Sequence, residues 1–402
     1  MIPESSLPRR NDDTYLPSPL ASKDMRVTCA FYTLILLFGG LSAGSAATGL
    51  EWIDGNTNLT LYGDLRLRYE VDWNSQNPAG VERDDRHRGR LRARAGFNYR
   101  LSDDWSGGAR IRTGNHQSQQ SPHLTFVTDD GERDDLDFVV DRYFVQFKRD
   151  RFLAWGGRNN NPFWNQNELF WDDDVTPTGA AGTYRLPVLD DQLSATAGAF
   201  YLPDGGYGLN GQMLAGQVVY QRPIEASQLI LAGGLYYMHG EEGANYLSNR
   251  NGARDYMIGV GDAQWRIDCK GVPLTFGADV FYNFLDYDAG DVAPFPVSDE
   301  DETLGYVFSV SAGQLKDRND WLVGYYYSHI ETFSVNASYA QDDWVRFGNG
   351  PQTDSSDFEG HELRAGYAVS KNINLLARLY LVEAITTVQD GNRFRLDMNW
   401  QF

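Results

Sequence analysis

The chain has 402 residues, 55 acidic against 35 basic, for a formal charge of −20, and it carries 41 glycines and 13% aromatics. That charge balance disfavours nucleic acid, whose affinity comes largely from neutralising phosphates with Lys and Arg. A negative mean hydropathy excludes a bundle of transmembrane helices, each of which needs about 20 apolar residues in a row. The aromatic content excludes a disordered chain.

The front end reads as a targeting segment. The one sustained apolar run, 30–41, is too short to span a bilayer and is followed by small residues. Met25 and Arg26 form a short positive region, 31–41 the apolar region, and Ser45-Ala46-Ala47 a small-x-small cleavage site. This is the order of a secretory signal peptide, against the alternative of a buried core helix. The expected division is 1–47 as N-terminal extension and cleaved signal peptide, with Met25 as the start, and 48–402 as the mature domain. Cleavage removes four basic and four acidic residues, leaving 31 and 51, so the charge stays at −20. Cys29 leaves with the signal, and Cys269 is then alone. No disulfide framework, cysteine zinc site or lipid anchor is expected.

From residue 59 onward apolar residues recur with period 2 in stretches of about 10, the signature of transmembrane β-barrel strands. Leu59, Leu61, Leu65, Leu67, Tyr69 and Val71 alternate with Thr60, Tyr62, Asp64, Arg66, Arg68 and Glu70. Leu91, Ala93, Ala95, Phe97 and Tyr99 alternate with Arg90, Arg92, Arg94, Gly96, Asn98 and Arg100. Sixteen such strands are predicted: 59–71, 88–100, 105–113, 138–147, 152–158, a weak one at 180–187, 192–201, 210–221, 228–239, 255–266, 273–284, 303–314, 321–332, 358–369, 373–384 and 393–402. Short polar turns follow the even strands. Longer Asn/Asp/Gly-rich loops follow most odd ones, notably 72–87, 114–136, 159–179, 240–253, 285–302 and 333–357. Outer-membrane barrels have this asymmetry, with short turns on the periplasmic side. The predicted fold class is all-β, a transmembrane antiparallel barrel, greasy outside and wet inside.

The last predicted strand sets Phe394, Leu396, Met398, Trp400 and Phe402 against Arg393, Arg395, Asp397, Asn399 and Gln401. That ending resembles bacterial outer-membrane barrels, whose terminal aromatic is read by the barrel-assembly machinery; Trp400 and Phe402 are the candidate signal. A narrower resemblance lies in Gly157-Arg158, Asn161-Pro162-Phe163-Trp164, Trp171-Asp172, Asp174, and Pro177 with Gly179. This stretch is similar to the bacterial "putative porin" family, which implies a diffusion pore and names no substrate. Members often carry a longer segment ahead of the barrel, whereas only 48–58 precede the first strand here.

Arg66, Arg68, Arg90, Arg92, Arg94, Arg110 and Arg112 all fall on the polar face of the first three strands. Exposing Arg90, Arg92 and Arg94 to lipid by a one-residue slip costs roughly 6–12 kcal/mol at about 2–4 each, so register is fixed. They form either an anion-contacting strip at a constriction or a wall stiffened by pairing with Asp64 and Glu70. The third long loop carries Glu168, Asp172, Asp173 and Asp174 among Phe163, Trp164, Phe170 and Trp171. So aromatic a loop is expected to fold into the barrel and oppose the arginines, with a surface loop as the alternative. The histidines show no metal spacing, and Ser328 and His329 point to opposite faces of a strand. The run 299–302 reads as a solvated acidic loop. No catalytic residue, metal or cofactor is expected.

The function expected is an outer-membrane porin, a water-filled channel for passive diffusion of small polar or charged solutes. The competing readings are an exporter of an acidic polysaccharide and a non-conducting structural or adhesive barrel. Expected partners are outer-membrane lipid and lipopolysaccharide, the barrel-assembly machinery, small solutes or ions, and further copies in a homotrimer, but no nucleic acid.

Overall fold

The computed structural model describes residues 58–402 apart from 78, 117–118, 130, 132, 189–190, 205–207, 242–253, 289, 292–296 and 345–354. The signal-peptide reading lies outside these residues. Eighteen strands form one antiparallel sheet; two short ones, Glu82–Arg83 and Leu124–Thr128, belong to loops, which leaves sixteen in the wall. In chain order these are β1 Leu59–Gln76, β2 Arg86–Arg100, β3 Trp105–Thr113, β4 Phe138–Arg149, β5 Phe152–Arg158, β6 Thr178–Val188, β7 Asp191–Tyr201 and β8 Gln212–Ile224. The second half is β9 Ser227–His239, β10 Tyr256–Cys269, β11 Val272–Asn283, β12 Leu304–Gly313, β13 Trp321–Ile330, β14 Phe358–Ala368, β15 Ile373–Glu383 and β16 Asp390–Gln401. Every predicted strand is found, the weak sixth included. β16 pairs with β1 from Asp64↔Gln401 to Gln76↔Asp390, which closes the sheet and leaves no free edge.

Local chemistry sets the short-turn end. Lys270 and Gly271, at φ of 57° and 85°, make the two-residue hairpin between Cys269 and Val272, in the left-handed geometry that follows the twist of antiparallel strands. Asp150 and Glu225 take positive φ in the corresponding turns after β4 and β8. On the outside, Phe97, Ile111, Val145, Leu214, Val218, Trp265, Phe276, Phe308, Val323 and Leu363 are exposed, a continuous apolar surface that suits lipid.

Two departures from simple alternation shape the lumen. Between β3 and β4 the register shifts from Arg110↔Arg142 to Ile111↔Val140. Asp141 is the extra residue of this bulge, and it is turned inward and buried. β3 is short and pairs with β2 only from Arg94 to Arg100; the strand Leu124–Thr128, from within the second long loop, covers Arg88–Leu91 instead.

The expectation of a uniformly wet inner face is corrected on β8–β14. There Met213, Tyr236, Met238, Tyr256, Ile258, Phe281, Val307, Ile330 and Phe358 point inward and are almost fully buried. They pack with loop residues Phe163, Phe170, Trp171, Phe333, Tyr339 and Trp344 in a single apolar cluster. Part of the barrel is therefore filled by a conventional core.

Candidate channel constriction

Six of the seven arginines singled out from the sequence are held by carboxylates. Arg68 meets Asp397 at 2.7 Å, and Arg92 and Arg94 both meet Asp64, at 3.0 and 2.7 Å. Arg110 and Arg112 share Asp141 at 2.6 and 4.0 Å, while Arg90 lies 3.9 Å from Glu70. Arg66 differs. Its Nε donates to Asn399 Oδ1 at 2.7 Å, and among the described residues no carboxylate comes within ion-pair distance of it.

Barrel closure extends this wall beyond the first three strands. Arg395 reaches Glu70 at 2.7 Å, Arg393 reaches Asp72, and Arg378 lies 3.9 Å from Glu362. Sequence reasoning had Arg393 and Arg395 on the polar face of the last strand but did not set them beside the first. Their adjacency follows only from the β1–β16 pairing.

The third long loop, 159–177, crosses the lumen. Both of its ends rest on glycines that pair with each other, Gly157↔Gly179. Gly157 has φ of 124°, and a Cβ there would strike Tyr143 O; only glycine fits. At the base, Arg158 Nε donates to Thr176 Oγ1 at 3.0 Å, and Thr176 Oγ1 to Asp141 O at 2.8 Å.

One side of the loop grips the apolar wall. Phe163 sits edge-on to Tyr236 at 5.1 Å, and Phe170 lies between Tyr236 and Phe281 at 4.7 and 5.5 Å. Trp164 N donates to Gln217 Oε1 at 2.7 Å. Gln166 and Asn167 donate to the two Asp279 oxygens at 2.7 and 2.6 Å. Burying side chains of this size stabilises by about 1.5–3 kcal/mol each, which offsets the entropy of ordering the loop.

The loop's acids divide by environment. Asp174 accepts from Arg92 at 3.0 Å and Arg94 at 2.7 Å. Burial pushes its carboxyl up, but the two guanidiniums outweigh that and hold it well below the usual range. Asp172 is buried and makes no ion pair among the described residues; its Oδ1 accepts from Asp174 N at 2.7 Å. Burial, with Glu168 and Asp174 nearby, raises it well above the usual range. Glu168 is pushed up to about 7 by burial and then by Asp173, and it accepts from Gln341 Nε2 at 2.7 Å. Asp173 is exposed and takes no hydrogen bond or ion pair among the described residues.

A second loop enters the lumen. Residues 331–344, between β13 and β14, are nearly all buried. Tyr339 stacks on Trp171 at 5.2 Å, Tyr339 O accepts from Asp172 N at 2.8 Å, and Asp343 is held by Arg378 at 2.9 Å and by Arg395. Sequence reasoning took 333–357 as an ordinary long loop. The signal was present in Phe333, Val335, Tyr339 and Trp344, as badly placed in water as the third loop's aromatics. His123 was also passed over. Burial, then Arg68 and Arg90, hold its imidazole well below the usual range, so it stays neutral against the arginine wall.

Elsewhere, Ser328 is fully buried while His329 bonds Glu359 at 3.0 Å on the opposite face. Asp299 is also buried, so the run 299–302 is not uniformly solvated. Phe402 is exposed, lies 5.5 Å from Trp400, and its backbone exchanges two 3.0 Å bonds with Gly63.

Around the third loop three polar cavities of about 300, 190 and 180 Å³ stay open, and Asp173 lines all of them. Arg66 and Arg94 face the largest. Residues 72–213, which carry β2–β7 and the whole loop, match the protein family described as "Putative porin". The sixteen-stranded closed barrel agrees with that match. Among solved structures the chain is similar to Pseudomonas putida OprB, with a TM-score of 0.56 and 13% identity over 89% of this chain and 96% of that one. It is also similar to Salmonella typhi OmpF in complex with daunomycin, with a TM-score of 0.51 and 14% identity over 86% and 97%. At such identities the likeness is one of fold. No curated protein matches the sequence.

Proposed function

We propose that the protein is an outer-membrane porin that passes small polar or charged solutes by passive diffusion and performs no catalysis. The carrying observation is the set of open, charged cavities around a loop that crosses the lumen. Acids on the loop oppose guanidiniums on the wall, the arrangement by which pores select ions with rows of charge. Leader-directed export, with 48–402 as the mature barrel, and insertion through the terminal aromatics belong to the same reading.

The ion pairing bears on the alternatives. An exporter of acidic polysaccharide needs a tunnel of available arginines, and six of the seven are already paired. A merely structural barrel has no use for a charged opening beside its packed core. Purified, heat-modifiable protein in planar bilayers is expected to give stepwise conductance. Folded protein that never conducts would overturn the porin reading. Phe402→Asp is expected to leave secretion intact and to lower membrane insertion sharply, read by fractionation; normal insertion would contradict the role given to Trp400 and Phe402.

A further inference from the structure

The largest cavity has an uneven charge balance. Of the ionisable groups lining it, Arg92 and Arg94 are neutralised by Asp64 and Asp174 in a closed set of four ion pairs. That leaves Arg66 on the wall, with Asp173 and Glu168 on the loop. Among the described residues Arg66 has no carboxylate partner; Asn399 takes its Nε and so leaves the two Nη groups for another acceptor. Among the described residues Asp173 has no cationic partner. One cavity therefore holds a cation on one side and an anion on the other, and among the described residues neither has a partner of opposite charge.

We propose that this cavity is a site for small zwitterions, amino carboxylic acids whose carboxylate is taken by Arg66 and whose ammonium is taken by Asp173 and Glu168. The inference rests on the porin reading. A guanidinium's free Nη edge matches a carboxylate with charge-assisted hydrogen bonds, and an ammonium offers three donors to two carboxyl groups. A solute bearing both charges answers both walls at once. A simple anion gains Arg66 but faces Asp173, while a simple amine gains Asp173 but faces Arg66. Within a Debye length of about 8 Å neither penalty is screened away. At about 300 Å³ the cavity lies at the lower limit for small-molecule sites, which suits one amino acid rather than an oligomer.

The test is flux through purified protein in proteoliposomes, at concentrations low enough that flux follows partitioning into the constriction. The probes are 4-aminobutyrate, its neutral isostere 4-hydroxybutyramide, butyrate and butylamine. The wild type is expected to pass the zwitterion about tenfold faster than the neutral isostere, the effect of about 1.4 kcal/mol. Arg66→Gln is expected to abolish that preference and raise butylamine flux; Asp173→Asn is expected to abolish it and raise butyrate flux. Arg66→Lys, which keeps the charge, is expected to retain most of it. Equal flux of zwitterion and neutral isostere through a conducting wild type would overturn the site and leave the porin standing. So would a preference that survives in folded Arg66→Gln and Asp173→Asn. Absence of all conductance would remove the porin reading and the site together.

Discussion

The two sides of the lumen are built on opposite principles. On β14–β16 and β1–β3 the inner face is charged, and arginines from neighbouring strands share carboxylates in a mesh of buried ion pairs. On β8–β13 the same face is a packed core of Tyr236, Ile258, Phe281 and Val307. The third loop spans both, with Asp174 on the first wall and Phe163 and Phe170 on the second. The charged wall sets where the loop's acids sit, since a buried carboxylate without a partner is expensive. The apolar wall supplies the adhesion, since packing is where most of the favourable free energy lies.

Breaking the apolar wall is expected to have the larger effect. Phe170→Ala removes a side chain clasped by two aromatic rings, and core truncations of this kind cost about 3–5 kcal/mol. The loop tip loses its hold, so single-channel conductance should rise and become noisy while the barrel stays heat-modifiable. Unchanged, quiet conductance would mean that the polar anchors at Gln217 and Asp279 suffice.

Breaking the charged wall should cost less. Asp174→Asn leaves Arg92 and Arg94 still paired with Asp64, so the loss should stay below the about 3–5 kcal/mol of an orphaned buried charge. Its signature is a reversal potential in a salt gradient shifted toward anions, with thermal stability only slightly lowered.

Smallest is a pH effect. Burial and Asp173 push Glu168 up to about 7, so it is neutral below that pH and negative above it. Cation preference should therefore rise as pH passes from 6 to 8, read as reversal potential, and Glu168→Gln should flatten the curve. An unaltered curve in that variant would assign the titration to another group.

The strands were legible because lipid on one side and charge on the other impose strict alternation, as in Leu91–Arg92–Ala93–Arg94. The arginines were legible for the same reason, and the third loop because its aromatics have no place in water. Three features were not. Arg393 and Arg395 lie more than 300 residues from their partners Asp72 and Glu70, and only closure joins them. Asp141 turns inward through a bulge, which breaks the period that strand reading relies on. The apolar inner wall hides because stretches such as Tyr256-Met257-Ile258 are apolar on both faces, so alternation says nothing about which face is wet. The second inward loop was readable by the aromatic argument already applied to the third.

The third loop's tip rests against the far wall, and the shape of the constriction follows from that contact. A cysteine pair at Asn167 and Asp279, whose side chains are 2.6 Å apart, tests this directly in a Cys269→Ser background, with a short bis-methanethiosulfonate, which forms a disulfide with each thiol and releases sulfinate, and mass spectrometry of the folded barrel in membranes. The cross-link is expected to form nearly to completion and to leave conductance close to its uncross-linked value, because it fixes the loop where it already lies. A pair that does not cross-link in a folded, conducting barrel would contradict the account.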